Sequence, residues 1–274
     1  MGVHGDARET LRAVLPSVEE KGDRAFLDSM LHDHVRALEH AVDAYTKNIE
    51  HHRPTHPEYL ASVLDDVASD DAVFTVDTGM CNVWAARYLT PNGRRRVIGS
   101  FLHGSMANAV PHAIGAQSAN PGRQVIAMSG DGGLSMLLGE LITVAEHELP
   151  VKIVVFNNSA LGMVELEMMV AGYPHFQTEL PSVDFAAVAA TLRIHSVRIT
   201  EPADVRDALA GALTHSGPAL IDVVTDANAL AMPPNVTVEQ VRGFALAAGR
   251  IVLDGGVGKM IELARANLRY IPRP

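Results

Sequence analysis

Short, predominantly apolar, β-branched runs that alternate with stretches of helical apolar spacing predict an α/β fold, a largely parallel sheet with helices on both faces. The runs Ala72–Val76, Gln124–Met128, Val151–Phe156 and Ala219–Val224 have the length and composition of strands buried on both sides. Between and around them, residues recur at the three-to-four spacing of a helix. In order, this gives a helix near Glu58–Val67, strand Ala72–Val76, helix Val83–Leu89, strand Arg95–Ile98 and helix Ala107–Ser118. Strand Gln124–Met128, helix Leu134–Glu148 and strand Val151–Phe156 follow, then helix Asp184–Leu192, strand Ser196–Ile199, helix Ala203–His215 and strand Ala219–Val224.

Different patterns flank this alternation. Residues 1–53 are helical and charge-rich, with an amphipathic stretch from Asp28 to Tyr45 and a Pro-containing break over Arg53–Pro57. His51, His52 and His56 beside Glu50 are expected to be a solvated linker, because no second cluster at metal-ligand spacing accompanies them. Beyond residue 228, Val238–Ile251 and Lys259–Tyr270 predict amphipathic helices. The second has Met260, Ile261, Ala264 and Leu268 on an apolar side and Lys259, Glu262, Arg265 and Arg269 on a polar, mostly cationic one. That is the profile of a helix lying on an anionic lipid surface, and equally of one packed on its own domain. The expected divisions are therefore 1–53, 54–228 and 229–274.

At 274 residues the chain can bury a substantial core in one large α/β domain with appendages. It has no run of about eighteen apolar residues, Met1–Thr10 lacks the basic and apolar parts of a signal peptide, and Cys81 is the single cysteine. A formal charge of −10 argues against general nucleic-acid binding. These features lead us to expect an intracellular protein.

The chemistry is concentrated where two strands run out. Gly130-Asp131-Gly132-Gly133 follows the first motif strand, and Asn157-Asn158 ends the second, with residues 133–156 between them. A Gly-rich turn opening a helix presents free N–H groups and the positive end of the helix dipole to a phosphate. Ligands of open parallel sheets bind outside the carboxyl ends of the strands, so Asp131 and Asn158 can face one point. Magnesium suits such a point, taking oxygen from one or two side chains and completing its shell with diphosphate and water. Read as structure alone, an Asp and an Asn in these places are turn formers or helix caps.

The paired motif resembles the cofactor signature of thiamin-diphosphate enzymes. With Val83–Leu89, Gly99–Ala109 and Leu161–Met168, the chain from about Leu15 to Leu268 is similar to the later part of bacterial pyruvate dehydrogenase (quinone), also called pyruvate oxidase. The resemblance implies the diphosphate-binding domain of the thiamin-diphosphate-binding fold, preceded by the end of a central FAD domain. It implies Asp131, Asn158 and the carbonyl of Ala160 as magnesium ligands. Gly79, Met80, Gly132 and Gly133 would bind the diphosphate, and Leu161, Gly162, Met163 and Val164 would complete the cofactor contacts. Met106 would wedge between the two thiamin rings, with Gly104 and Ser105 beside it and the Gly104 carbonyl and Met106 N–H on the pyrimidine edge. Bending the cofactor this way makes its proton removal effectively intramolecular; an isolated Met would otherwise be a core filler.

Glu167 matches an active-site acid, though a surface glutamate is the ordinary alternative. Met163 stands where the family carries an aromatic residue that helps electron transfer to flavin, which puts that role in doubt here. His103 is a candidate near the pocket or a structural histidine. The reaction implied is oxidative decarboxylation of pyruvate to acetate and carbon dioxide, with electrons passing through FAD to a membrane quinone. The tail would bind anionic lipid, placing a cytoplasmic homo-oligomer, a tetramer in the family, on the inner face of the cell membrane. The pyrimidine domain and most FAD contacts are missing, so this chain alone is expected to be inactive or nearly so. An acetolactate-synthase-like carboligase and a non-catalytic module binding a partner or membrane are the alternatives.

Overall fold

The computed structural model describes residue 2 and residues 4–37, 43–229 and 237–270. Its strands are β1 Val73–Val76, β2 Arg96–Gly99, β3 Val125–Gly130, β4 Lys152–Asn157, β5 His195–Ile199 and β6 Ala219–Val224. They form one all-parallel sheet in the order β2-β1-β3-β4-β6-β5. Each strand lies where the apolar runs predict it. Between them run α3 Pro57–Val67, α4 Met80–Tyr88, α5 Ala109–Ala119, α6 Asp131–Met136, α7 Glu140–Glu146, α8 Gly162–Val170, α9 Phe185–Thr191 and α10 Val205–Thr214. Two helices precede this body, α1 Ala7–Val14 and α2 Ala25–Ala37, and two follow, α11 Val238–Leu253 and α12 Val257–Ala266.

Alternate side chains of each strand feed opposite cores, as the two-residue period requires. Phe74, Val76, Ile126, Met128, Val154 and Ile221 pack with α3, α4 and α10 on one side. Val73, Val125, Ala127, Ile153, Val155 and Leu220 pack with α5, α7 and α9 on the other. Six residues of β4 are buried in succession, which is why it appears in sequence as an unbroken apolar run.

Two predicted helices are each shorter than expected. The stretch Leu134–Glu148 divides into α6 and α7, with Leu137 leaving helical geometry and Gly139, a poor helix former, at the joint. The stretch Lys259–Tyr270 gives α12 and a separate 3-10 turn, Leu268–Tyr270. Asn267 stands between them, its side-chain N–H donating to the Leu263 and Asn228 carbonyls; such local bonding competes with helix. Of the amphipathic stretch Asp28–Tyr45, residues 38–42 lie outside the described residues.

The solvated-linker expectation is corrected by burial. His51 is exposed, but His56 is wholly buried, its ring stacked on that of Tyr45 with centroids 4.0 Å apart. His52 lies against Asp226 at 3.3 Å, Tyr45 and Ile49 belong to the core, and Thr55 bridges to Thr225 beyond β6. The segment therefore runs along the end of the sheet, where neither spacing nor hydropathy would put it. By contrast, α1 buries no residue, and Leu11, Leu15 and Phe26 are exposed.

The tail folds back onto the body. α11 crosses α8 so closely that a Cβ on Gly243 would lie 1.8 Å from the Val170 carbonyl oxygen. Met169, Ala247 and Ile251 form a small core there, with Met260 and Leu263 packed against it. Arg269 then donates to the Ala44, Lys47 and Asn48 carbonyls. Of the predicted apolar side, only Met260 packs inward, whereas Ile261 and Leu268 face solvent.

Burial, reinforced by the neighbouring His52, lowers the pKa of His56 to about 3. Between that value and the ordinary value near 6.5, the unfolded chain takes a proton that the folded one refuses. Stability is therefore expected to fall as pH drops through this window, by about 1.4 kcal/mol per unit at most. Urea unfolding at pH 7.5 and pH 5 should show His56→Gln losing about 2 kcal/mol less than wild type. Equal losses would remove His56 as the cause. Gly243→Ala should push α11 from α8 and cost about 1–3 kcal/mol, with limited proteolysis appearing first within residues 237–270. Unchanged protection would contradict the close crossing.

Candidate functional site

The strand order reverses beside β1: the chain moves outward to β2, then returns to place β3 on the other flank of β1. A crevice opens at the carboxyl end of the sheet at such a switch point. Here it is a cavity of about 260 Å³, bounded by the turns after β1, β3 and β4. The parallel register pairs Gly130 with Phe156, so β3 and β4 end side by side. Asp131 and Asn158 consequently line the same cavity, as their spacing predicts.

Asp131 is buried, and both its carboxylate oxygens hold backbone. Oδ1 accepts the N–H of Gly132 at 2.8 Å, and Oδ2 accepts that of Ser159, across the gap between the strands, at 2.5 Å. Burial nevertheless pushes its pKa up to about 6, with those hydrogen bonds opposing the shift. Asn158 Oδ1 accepts the N–H of Ala160 at 3.0 Å. The segment after it pairs with residues 178–180 through the Ser159 carbonyl and Leu161 N–H, leaving the Ala160 carbonyl outside those bonds. Two of the turn residues, Ser159 with φ 55° and Ala107 with φ 64°, occupy the left-handed region that costs a non-glycine residue strain. Strain of this kind persists where surrounding contacts fix the backbone, as the Asp131 bond does for Ser159.

Asn157, adjoining the predicted ligand, has a different task. It turns into the protein, donating to Asp222 at 2.8 Å and to the Val183 carbonyl at 3.0 Å. Asp222 is fully buried and also accepts from Phe185 N–H and Arg198. One carboxamide therefore anchors the end of β4 while the next faces the cavity.

Of the residues expected to meet the cofactor, Gly79, Met80, Gly104, Met106, Gly132, Gly133, Ala160, Leu161, Gly162, Met163 and Val164 all line the cavity. Ser105 is not brought to its wall: it is exposed, its N–H bonds to Ser100 Oγ and its hydroxyl to the Met106 carbonyl. His103 is exposed and also outside the lining. The glycines suit close approach of a ligand or of neighbouring chain. A Cβ on Gly132 would lie 2.9 Å from Leu161 Cδ2, and one on Gly162 would lie 3.1 Å from Asn158 Nδ2.

Glu167 lines the cavity but is exposed, and Glu165 is the more engaged carboxylate. Glu165 lies 3.2 Å from His175 and 3.5 Å from Lys259, and Lys259 lies 2.5 Å from His175. Lys259 comes from α12, so the tail contributes a charged group to the wall, together with Met260 and Leu263. Periodicity alone cannot reveal this, since it carries no information about which surface a terminal helix covers. Asp77 is a second omission with a legible signal, because it follows an apolar strand just as Asp131 does. Burial raises its pKa, against hydrogen bonds from Ser129 and Ala109.

The donor set fits a hard divalent cation: a carboxylate, a carboxamide oxygen and a carbonyl, with no thiolate required. The raised pKa of Asp131 is that of a buried carboxylate lacking a compensating cation.

Comparison with known proteins agrees with this geometry. The chain is 33% identical over 245 residues to YdaP of Bacillus subtilis, whose name ascribes thiamine pyrophosphate to it, covering 89% of this chain and 42% of that protein. It is 30% identical over 241 residues to acetolactate synthase isozyme 1 large subunit of Escherichia coli, covering 85% and 41%. It is 34% identical over 178 residues to acetolactate synthase 1, chloroplastic, of Oryza sativa subsp. japonica, covering 61% and 28%. The chain thus spans less than half the length of these relatives. Residues 77–223, from the turn after β1 to β6, match the family model of the C-terminal TPP-binding domain, and the chain belongs to the thiamine pyrophosphate enzymes.

Proposed function

We propose that this chain is the diphosphate-binding half of an enzyme acting on pyruvate. The observation that carries the reading is the convergence of Asp131, Asn158, Gly132, Gly133 and Met106 on one cavity at the sheet's switch point. Thiamin diphosphate, when bound, supplies a carbon nucleophile and an electron sink for decarboxylation. The chain's own residues hold and shape it. Asp131, Asn158 and the Ala160 carbonyl would hold magnesium, and the N–H groups at the start of α6 and after β1 would face the diphosphate. Met106 would keep the cofactor bent, and α8 with Lys259 and Leu263 would limit water at the reacting end.

Within pyruvate chemistry, oxidation to acetate with electrons through FAD to a membrane quinone is our first reading. The resemblance of Gly99–Ala109 and Leu161–Met168 to quinone-linked enzymes supports it. So does the outward apolar side of the tail, where Val238 and Leu253 are 85% and 87% exposed and Val257 and Ile261 about half so, suiting an anionic lipid surface. Carboligation to acetolactate is the second reading, favoured by the names of the Escherichia coli and rice relatives. Both readings need a pyrimidine-binding domain and, for oxidation, an FAD domain from other polypeptide. The working form is then a homo-oligomer or a complex at the inner face of the membrane.

Calorimetric titration should show thiamin diphosphate binding that requires magnesium and weakens at least about 10-fold in Asp131→Ala. Magnesium-independent binding would dismiss the half-site. The chain alone should turn over no pyruvate; when it is complemented with the missing domains, acetate would identify the oxidase and acetolactate the carboligase. Flotation with phosphatidylglycerol vesicles should require residues 237–270, and equal flotation without them would exclude the tail.

A further inference from the structure

Asp77 links all the backbone segments that the half-site uses. It follows β1 at the switch point, immediately before Thr78-Gly79-Met80, and is 2% exposed. Its Oδ1 accepts the N–H of Ala109 at 3.0 Å, and its Oδ2 accepts the Ser129 hydroxyl at 2.6 Å. Ala109 opens α5 directly beyond the strained turn that carries Met106 and Ala107. Ser129 stands at the end of β3, just before Gly130 and Asp131. Gly133 closes the arrangement: a Cβ there would lie 2.2 Å from Asp77 Oδ2, so the first turn of α6 sits directly against the carboxylate.

We propose that Asp77 is the positioning residue of this site, setting the distance and angle between the Met106 turn and the Gly130–Gly133 turn. The consequence is geometric. One turn would grip the ring end of a cofactor and the other its diphosphate end, so a bent cofactor fits both only when their spacing is fixed. Sheet hydrogen bonds alone do not fix it, because β1 and β3 pair only as far as Val76 and Met128, short of both turns. Asp77 supplies the missing link through its acceptors rather than as a metal ligand, since both oxygens are engaged by protein donors. The functional consequence rests on the thiamin diphosphate reading; the coupling of the two turns does not.

Hydrogen–deuterium exchange and calorimetric titration of the whole chain test this in wild type, Asp77→Ala, Asp77→Asn and Gly133→Ala. Asp77→Asn keeps an acceptor for Ala109 and offers an N–H to Ser129 Oγ. Asp77→Ala should speed exchange by about 10-fold or more in residues 106–110 and 130–133 together, leaving β4 and β6 unchanged. It should also weaken magnesium-dependent thiamin diphosphate binding by about 10-fold or more, with Asp77→Asn returning to within about 3-fold of wild type. Gly133→Ala, which must displace the carboxylate, should reproduce the paired exchange change and serves in its place if Asp77→Ala does not fold. Faster exchange in only one of the two segments, unchanged affinity in Asp77→Ala, or a failure of Asp77→Asn to restore binding would overturn the proposal. A wild-type chain that binds no thiamin diphosphate defeats the cofactor reading instead, and the paired exchange still decides whether Asp77 couples the turns.

Discussion

Everything at the candidate site depends on the parallel pairing of β3 with β4 in one register. Gly130 opposite Phe156 brings Asp131 and Ser159 into hydrogen-bonding reach across the ends of the strands, so a single carboxylate closes the gap. A shift of one residue would turn Met128 and Val154 to the opposite core and carry Asp131 away from its partner. The register is in turn held by burial on both faces, because neither strand has a polar side to give up. Core packing and site geometry are therefore one constraint, and the helices covering the sheet serve the site by keeping those strands dry.

The same logic separates what could be seen in the sequence from what could not. Strands were legible because residues such as Ile153, Val154 and Val155 are apolar whichever face they take, and a continuous run of that kind has few other uses. Asp131 and Asn158 were legible because they sit at strand ends, where topology makes distant residues neighbours. Three things were not. The break at Gly139 divides a stretch whose apolar residues lie on several sides, so spacing favoured one continuous helix. His56 resembles linker in a polar, Pro-containing segment, and only its stacking on Tyr45 explains why it is buried. The tail's inward side depends on where Gly243 lets it land, and Met260 and Leu263 became walls of the cavity through that contact.

Chain segments far apart in sequence meet around the cavity for a common physical reason. The end of a parallel sheet exposes backbone ends and helix N-termini, and each has to be satisfied by something other than ladder bonds. Asn157 does this inward through Asp222, Asp131 does it sideways through Ser159, and the pairing of residues 159–161 with 178–180 does it for the loop beyond. Once these are satisfied, the groups facing the cavity are those with capacity to spare: Asn158 Oδ1, the Ala160 carbonyl and the outer side of the Asp131 carboxylate. All three are hard oxygen donors.

Electrostatics explains why such a site is poised for a cation. Asp77 and Asp131 are both buried, both have pKa values raised chiefly by burial, and both raise that of the buried Cys81 thiol between them and the core. Internal hydrogen bonds offset part of the cost of two carboxylates in so small a volume, but neither has a cationic side chain hydrogen-bonded to it; Lys259 lies instead beside Glu165, and Arg198 beside Asp222. A divalent ion would supply the missing positive charge at Asp131 without disturbing the acceptors at Asp77. The protein thus places its own cations on the surrounding carboxylates and leaves positive charge at the centre to come from a ligand, which is the arrangement expected where a metal-bound diphosphate completes the fold.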